Sequence, residues 1–153
     1  MKVEYINPFL KASMEVLKMM AQMEMITGKP FLKTSPFTAE NLIIVVGITG
    51  EIRGQAVISM STEMAKTIAS NMMMGMPVPE IDEMAKSALS ELGNMIMGNS
   101  ATLLFNAGVN IDITPPTLMM GENLSISSGQ MTTISVPLEC PQGHVNIDIS
   151  MKE

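Results

Sequence analysis

The sequence predicts an α+β domain in two layers, a largely antiparallel sheet covered by helices. Three observations predict it. The segments run helix, strands, helix, helix, then strands. The C-terminal strands are joined by turns too short for a parallel crossover, so they must be antiparallel. One helical pattern, Pro79 to Phe105, is far longer than any other and carries an apolar stripe. A single domain is expected over residues 1–153, with a hydrophobic fraction of 46% to fill one core. No internal repeat or long linker divides it.

The elements follow in order. Asn7-Pro8 is expected to open the first helix, Asn as N-cap and Pro in the first turn. Phe9, Ser13, Val16, Met20 and Met23 line one side of it, and Gly28 is its expected C-cap. Lys29 to Glu40 holds two prolines and reads as a loop with room for one strand. Leu42 to Gly47 is rich in Val and Ile and reads as a buried strand. Thr49-Gly50-Glu51 is the expected turn, and Arg53 to Met60 completes a hairpin. Ser61-Thr62-Glu63 caps the next helix, which runs to about Met74 and stops at Gly75 and Pro77.

Pro79 then opens the long helix, with Glu80, Asp82 and Glu83 matching its dipole. Met84, Ala85, Ala88, Leu89, Leu92, Met95, Ile96 and Leu103 recur at spacings of three and four and form its apolar stripe. Gly93 lies inside this helix at a cost of about 1 kcal/mol against Ala. Close packing on another helix is the expected reason. Gly108 ends the helix. Ile111-Asp112-Ile113 begins a strand closed by Pro115-Pro116. Thr117 to Met120, Leu124 to Ser127, Met131 to Leu138 and Val145 to Met151 follow as strands. In the last of them Val145, Ile147, Ile149 and Met151 alternate with polar residues, which predicts one buried face.

Ser87, Glu91, Asn94 and Gly98 lie opposite the apolar stripe of the long helix, three or four residues apart. Glu91 and Asn94 are neighbours on one ridge, about 60° apart around the axis. A carboxylate and a carboxamide so placed can enter a partner's pocket together. Polar residues opposite an apolar stripe are more often a plain solvated face.

Composition excludes several classes. A net charge of −6 argues against nucleic acid and against an anionic membrane surface. The longest strongly apolar run, Leu42 to Ile48, is too short to span a bilayer. Glu4, Asn7, Lys11 and Glu15 interrupt any signal-peptide core, so a cytoplasmic protein is expected. Cys140 and His144 each stand alone, which leaves no disulfide, no cysteine or histidine metal cluster and no His-based triad within one chain. Nineteen Met against few aromatics is unusual; most are expected in the core, with a Met-rich binding surface as the minor alternative. No GxxxxGK[ST], GxGxxG, HExxH or GxSxG motif occurs. Catalysis, if present, is expected to work by lending residues to an active site on another protein.

The segment SALSELGNMIMGN resembles the helix signature of the CheC/CheX/FliY phosphatases of bacterial chemotaxis. That signature is Asp or Ser, three residues, Glu, two residues, Asn, and a proline further on. Ser87, Glu91 and Asn94 fit it, and Pro115 or Pro116 fits the proline. VVGITGEIRGQAVISMS, DEMAKSALSELGNMIMG and VNIDITPPT look like CheX segments in the same order, so the likeness is closest to CheX-type members. It covers roughly Ile43 to Gly121. One copy of the motif is present, as in CheX-like proteins, where CheC-like proteins carry two.

The resemblance implies a CheC-like fold and a hydrolase acting on the aspartyl phosphate of a phosphorylated CheY-like response regulator. It implies that Asn94 positions the attacking water and that Glu91 pairs with the regulator's phosphate-binding Lys. Ser87 and Gly98 are then docking positions. No cofactor of its own is implied; Mg2+ arrives with the regulator. A homodimer with sheets joined across the interface is implied as well. Two other readings compete. One is a non-catalytic adaptor that binds a response regulator or the flagellar switch on the same fold. The other is a small-molecule domain with a Met-lined pocket.

Overall fold

The computed structural model describes residues 3–152. Its elements are α1 (Val3–Ala21), β1 (Ile26–Thr27), β2 (Phe31–Lys33), β3 (Phe37–Thr38), β4 (Leu42–Gly50), β5 (Arg53–Met60), α2 (Thr62–Met72), α3 (Glu83–Asn106), β6 (Ile111–Ile113), β7 (Thr117–Met120), β8 (Ser125–Ile126), β9 (Thr132–Cys140) and β10 (Gly143–Lys152).

The main sheet is antiparallel throughout and runs β1-β9-β10-β5-β4-β6. Each edge is made of two short segments end to end. β1 and β2 both pair with β9. β6 and β7 both pair with β4, and Thr114-Pro115-Pro116 forms the step between them. That step is pinned because Thr114 N donates to Gly47 O at 3.0 Å and Gly47 N donates to Thr114 Oγ1 at 2.8 Å.

All three helices pack on one face of the sheet. There Leu42, Ile44, Val46, Ile58, Ile147 and Ile149 meet Leu89, Leu92 and Ile96 of α3 and Phe9 and Val16 of α1 in one buried cluster. α1 lies against α3. The α+β class and the helix-covered antiparallel sheet match the expectation.

The opposite face is also buried, which the alternation in β10 did not predict. Asp148 and Ser150 are as inaccessible as the apolar residues between them. A small second sheet, β3 paired with β8, lies over this face, where Phe37, Ala39, Leu124 and Ile126 pack on Ile43, Val45 and Val57. The strand expected over Leu124 to Ser127 is present as β8, but its two-residue partner β3 has no period to read, so its pairing over this face was not foreseen.

Several boundaries move. α1 already includes Val3, so Asn7-Pro8 sits inside the helix and not at its cap. The helix ends at Gln22, a left-handed residue with φ 53°. Gly28 serves a different purpose: its N donates to Pro137 O at 2.7 Å, and a Cβ there would come within 2.6 Å of Pro137 Cγ. Pro79 precedes α3, whose N-cap is Asp82. β4 continues to Gly50, so the hairpin turn is Glu51-Ile52. Ser61 does cap α2, accepting from Met64 N at 3.1 Å, but the helix ends at Met72 and the chain turns at Met74 and Gly75, both with positive φ. Among the methionines, Met23, Met25, Met60, Met64, Met97 and Met151 are buried and Met14, Met20, Met72, Met73 and Met95 pack partly buried against the core, while Met19, Met74, Met76, Met84, Met119 and Met120 are exposed.

Candidate functional site

The ridge of α3 owes its stiffness to both helix ends. At the start, Asp82 accepts from Ala85 N at 2.9 Å, satisfying one of the first-turn donors. At the end, Gly108 takes φ 90°, its N donates to Phe105 O, and Val109 N donates to Leu104 O at 2.8 Å. That is a Schellman closure, in which a left-handed glycine satisfies the last carbonyls. Between these ends the helix runs 24 residues.

Its buried side is Ala85, Leu89, Leu92, Gly93, Ile96, Met97, Ser100 and Leu104. This side lies on the sheet, and at Gly93 the helix approaches β4 closely. A Cβ on Gly93 would stand 2.7 Å from Ile44 Cγ2. The glycine therefore fits α3 to strand β4, where the sequence suggested another helix.

The sequence-derived residues fall together on the other side. Ser87, Glu91 and Asn94 are exposed and Gly98 is half-buried. Glu91 and Asn94 are about 4.5 Å apart along the axis. Among the described residues, no side-chain hydrogen bond or ion pair holds Ser87, Glu91 or Asn94. Both functional groups of the pair are thus presented to solvent on a rigid element. Lys86, next to the ridge, is occupied by Glu83 at 3.3 Å.

Met84 is misplaced by the sequence stripe: it is 59% exposed and belongs to the same line as Ser87. Phe105, which the sequence did not single out, is 63% exposed. Its spacing from Gly98 was the available signal. His144 Nε2 lies 3.0 Å from Glu40 Oε1, and the half-buried Cys140 is a free thiol. Among the described residues no cluster of His, Cys, Asp and Glu has the form of a metal site. No helix is long and apolar enough to cross a membrane.

Comparison with known proteins decides the family. Residues 42–139 match the family described as chemotaxis phosphatase CheX. The chain belongs to the CheX family. It is 38% identical over 128 residues to the CheY-P phosphatase CheX of Thermotoga maritima, covering 84% of this chain and 83% of that one. The CheX fold is shared in full with a CheC-like superfamily protein from Shewanella sp. PV-4, with TM-score 0.91, 30% identity and 100% of both chains covered. A CheX–CheY–BeF3–Mg2+ complex from Borrelia burgdorferi is similar at TM-score 0.85 and 34% identity, over 99% of this chain and 100% of that one. The CheX match spans β4 to β9 and so includes all of α3 with its ridge.

Proposed function

We propose that this chain is a phosphatase for the aspartyl phosphate of a CheY-like response regulator, working as one domain over residues 1–153. Asn94 positions the attacking water, and Glu91 pairs with the regulator's phosphate-binding Lys. The observation that carries this reading is the free, exposed Glu91/Asn94 pair on one side of α3.

The chemistry suits that pair. Water attacks phosphorus in line, the acyl phosphate P–O bond breaks, and the electron pair leaves with the regulator's aspartate as a carboxylate. The water's proton leaves with inorganic phosphate or solvent. The transition state is loose, so position matters more than a strong base. A carboxamide accepts a hydrogen bond from the water while staying uncharged beside the phosphoryl dianion. Holding one water in this way lowers the barrier chiefly through orientation. Glu91, as a carboxylate, suits an ammonium partner and would repel a phosphoryl group unless one is present.

The regulator supplies the phospho-aspartate and Mg2+; this chain needs no cofactor of its own. The Borrelia complex, which holds CheY, BeF3 and Mg2+ with CheX, supports that division of parts. Ser87 and Gly98 border the pair as docking positions. The protein acts in the cytoplasm as a homodimer. Support for the dimer comes from the β1/β2 edge, where Ile26 is 73%, Phe31 50% and Leu32 71% exposed. An apolar strand edge of this kind is a ready template for a second chain.

The test is phosphate release from CheY-like receivers charged with acetyl phosphate and Mg2+, with wild type and Asn94→Ala side by side. Rapid release by wild type and its loss in the variant are expected. Full activity in Asn94→Ala would overturn the water-positioning role.

A further inference from the structure

The exposed line of α3 is polar only in its middle. Met84, Ser87, Glu91, Asn94, Gly98, Thr102 and Phe105 follow one another at steps of three or four residues. At about 100° per residue they stay within roughly 80° of one another around the axis, over a length of about 32 Å. Glu91 and Asn94 sit near the midpoint. The two ends are apolar and open, Met84 at 59% and Phe105 at 63% exposure.

A single exposed apolar side chain is ordinary. Two of them in line with the functional pair, one at each end, form a pattern. Between Asn94 and Phe105 the line is low. A Cβ on Gly98 would meet nothing within 4 Å. The Thr102 hydroxyl donates back to Gly98 O at 3.1 Å, so it is spent on its own helix. The helix backbone is therefore open to close approach at Gly98.

The size of the line selects the occupant. A standard protein interface buries about 800 Å² per partner, a patch roughly 32 Å across. A line of that length matches one protein surface and exceeds any small ligand. Met and aromatic side chains are the types enriched at such surfaces. The occupant is the phosphorylated receiver protein, because its phosphoryl group must lie over Glu91 and Asn94 in the middle.

We propose that Met84 and Phe105 are apolar anchors that seat the phosphorylated receiver along α3, with its phosphoryl group held over Glu91 and Asn94. This rests on the phosphatase reading and adds two residues that determine affinity for the partner. They are positioning residues, since neither reaches the reacting atoms. The receiver must then carry apolar surface on two sides of its phosphorylation site.

Steady-state phosphate release from a receiver charged with acetyl phosphate and Mg2+ tests this. Met84→Ser and Phe105→Ser should each raise KM for the phosphorylated receiver roughly tenfold and leave kcat unchanged, as expected for lost burial of one large apolar side chain. Phe105→Leu should restore KM to near the wild-type value. Asn94→Ala should do the reverse, lowering kcat at unchanged KM. If both serine variants keep the wild-type KM while Asn94→Ala is inactive, the anchors are refuted and the phosphatase reading stands. If Asn94→Ala is fully active, the reading beneath them fails instead. A fall in kcat, or a change of oligomeric state, in Phe105→Ser would also overturn its role as an anchor.

Discussion

Gly93 of α3 and Ile44 of β4 meet so closely that a Cβ on the glycine would come within 2.7 Å of Ile44 Cγ2. Gly93 lies about 160° from Glu91 and about 100° from Asn94 around the helix, off the ridge. The contact that seats α3 on the sheet therefore also fixes the direction in which the ridge faces.

Gly93→Ala sets two effects against each other. Helix propensity favours Ala by about 1 kcal/mol. Overpacking a filled core costs about 1–3 kcal/mol. Cγ2 is rigidly attached to a branched side chain in a strand, so it has little room to give. The expected net loss is on the order of 1 kcal/mol, read from the urea midpoint. In an Ile44→Ala background the same substitution should be neutral or stabilising, because the opposing methyl is gone. A gain in stability for the single variant would show that α3 has room to lift.

The ridge pair should separate kinetically. Asn94→Ala is expected to lower kcat on the order of 10²-fold at unchanged affinity, the scale of a misplaced reactant. Glu91→Gln is expected to raise KM about tenfold or more, the scale of one lost charge-assisted contact. Both residues are exposed, so thermal stability should change by less than about 0.5 kcal/mol. Equal effects of the two substitutions on kcat and KM would deny them distinct roles.

What the sequence revealed follows from how far each signal extends. The long helix repeats its period over many turns and is capped by Asp82 and Gly108, so its existence and its polar ridge were legible. Local rules with two meanings misled. Gly28 was read for its freedom in φ, but it is needed for the close approach of Pro137, and Gln22 takes the left-handed turn instead. Asn7-Pro8 has the form of a cap, yet the helix starts earlier and runs through it. Met84 fits the apolar stripe by spacing alone, and only the docked helix places it outside. The alternation in β10 looked like one wet face. The cover over that face depends on β3, a strand of two residues, which carries no pattern.

That hidden face contains a second testable feature. Lys33 Nζ lies 3.1 Å from Asp148 Oδ2, with the Asp148 side chain fully buried and Lys33 16% exposed. Phe37 from the covering sheet lies over the ammonium at 4.7 Å. Asp148 Oδ1 and the hydroxyls of Ser59 and Ser135 are buried nearby without a hydrogen-bond partner. Removing the cation should be costly, because it strands a carboxylate in the interior. Lys33→Met is expected to lose about 3 kcal/mol in chemical denaturation. Adding Asp148→Asn should recover part of that loss, since a neutral amide is far cheaper to bury than a lone charge. A Lys33→Met protein as stable as wild type would mean that water reaches the carboxylate and the pair contributes nothing.

The β2 edge gives the last prediction. Phe31 and Leu32 are largely exposed on a strand that pairs with β9 on one side only. Left uncovered, such an edge invites nonspecific association, so a soluble chain must blunt it or cover it. Lys33 is turned to Asp148 and does not protect the rim; in the proposed homodimer a second copy would cover it. Wild type should therefore sediment as a dimer at micromolar concentration. Leu32→Asp puts two like charges across the joined edges, opposing pairing by both repulsion and desolvation. The variant should run as a folded monomer with an unchanged circular dichroism spectrum. A wild type that stays monomeric at 100-fold higher concentration would refute the dimer, and a Leu32→Asp protein that still dimerises would assign the contact to another surface.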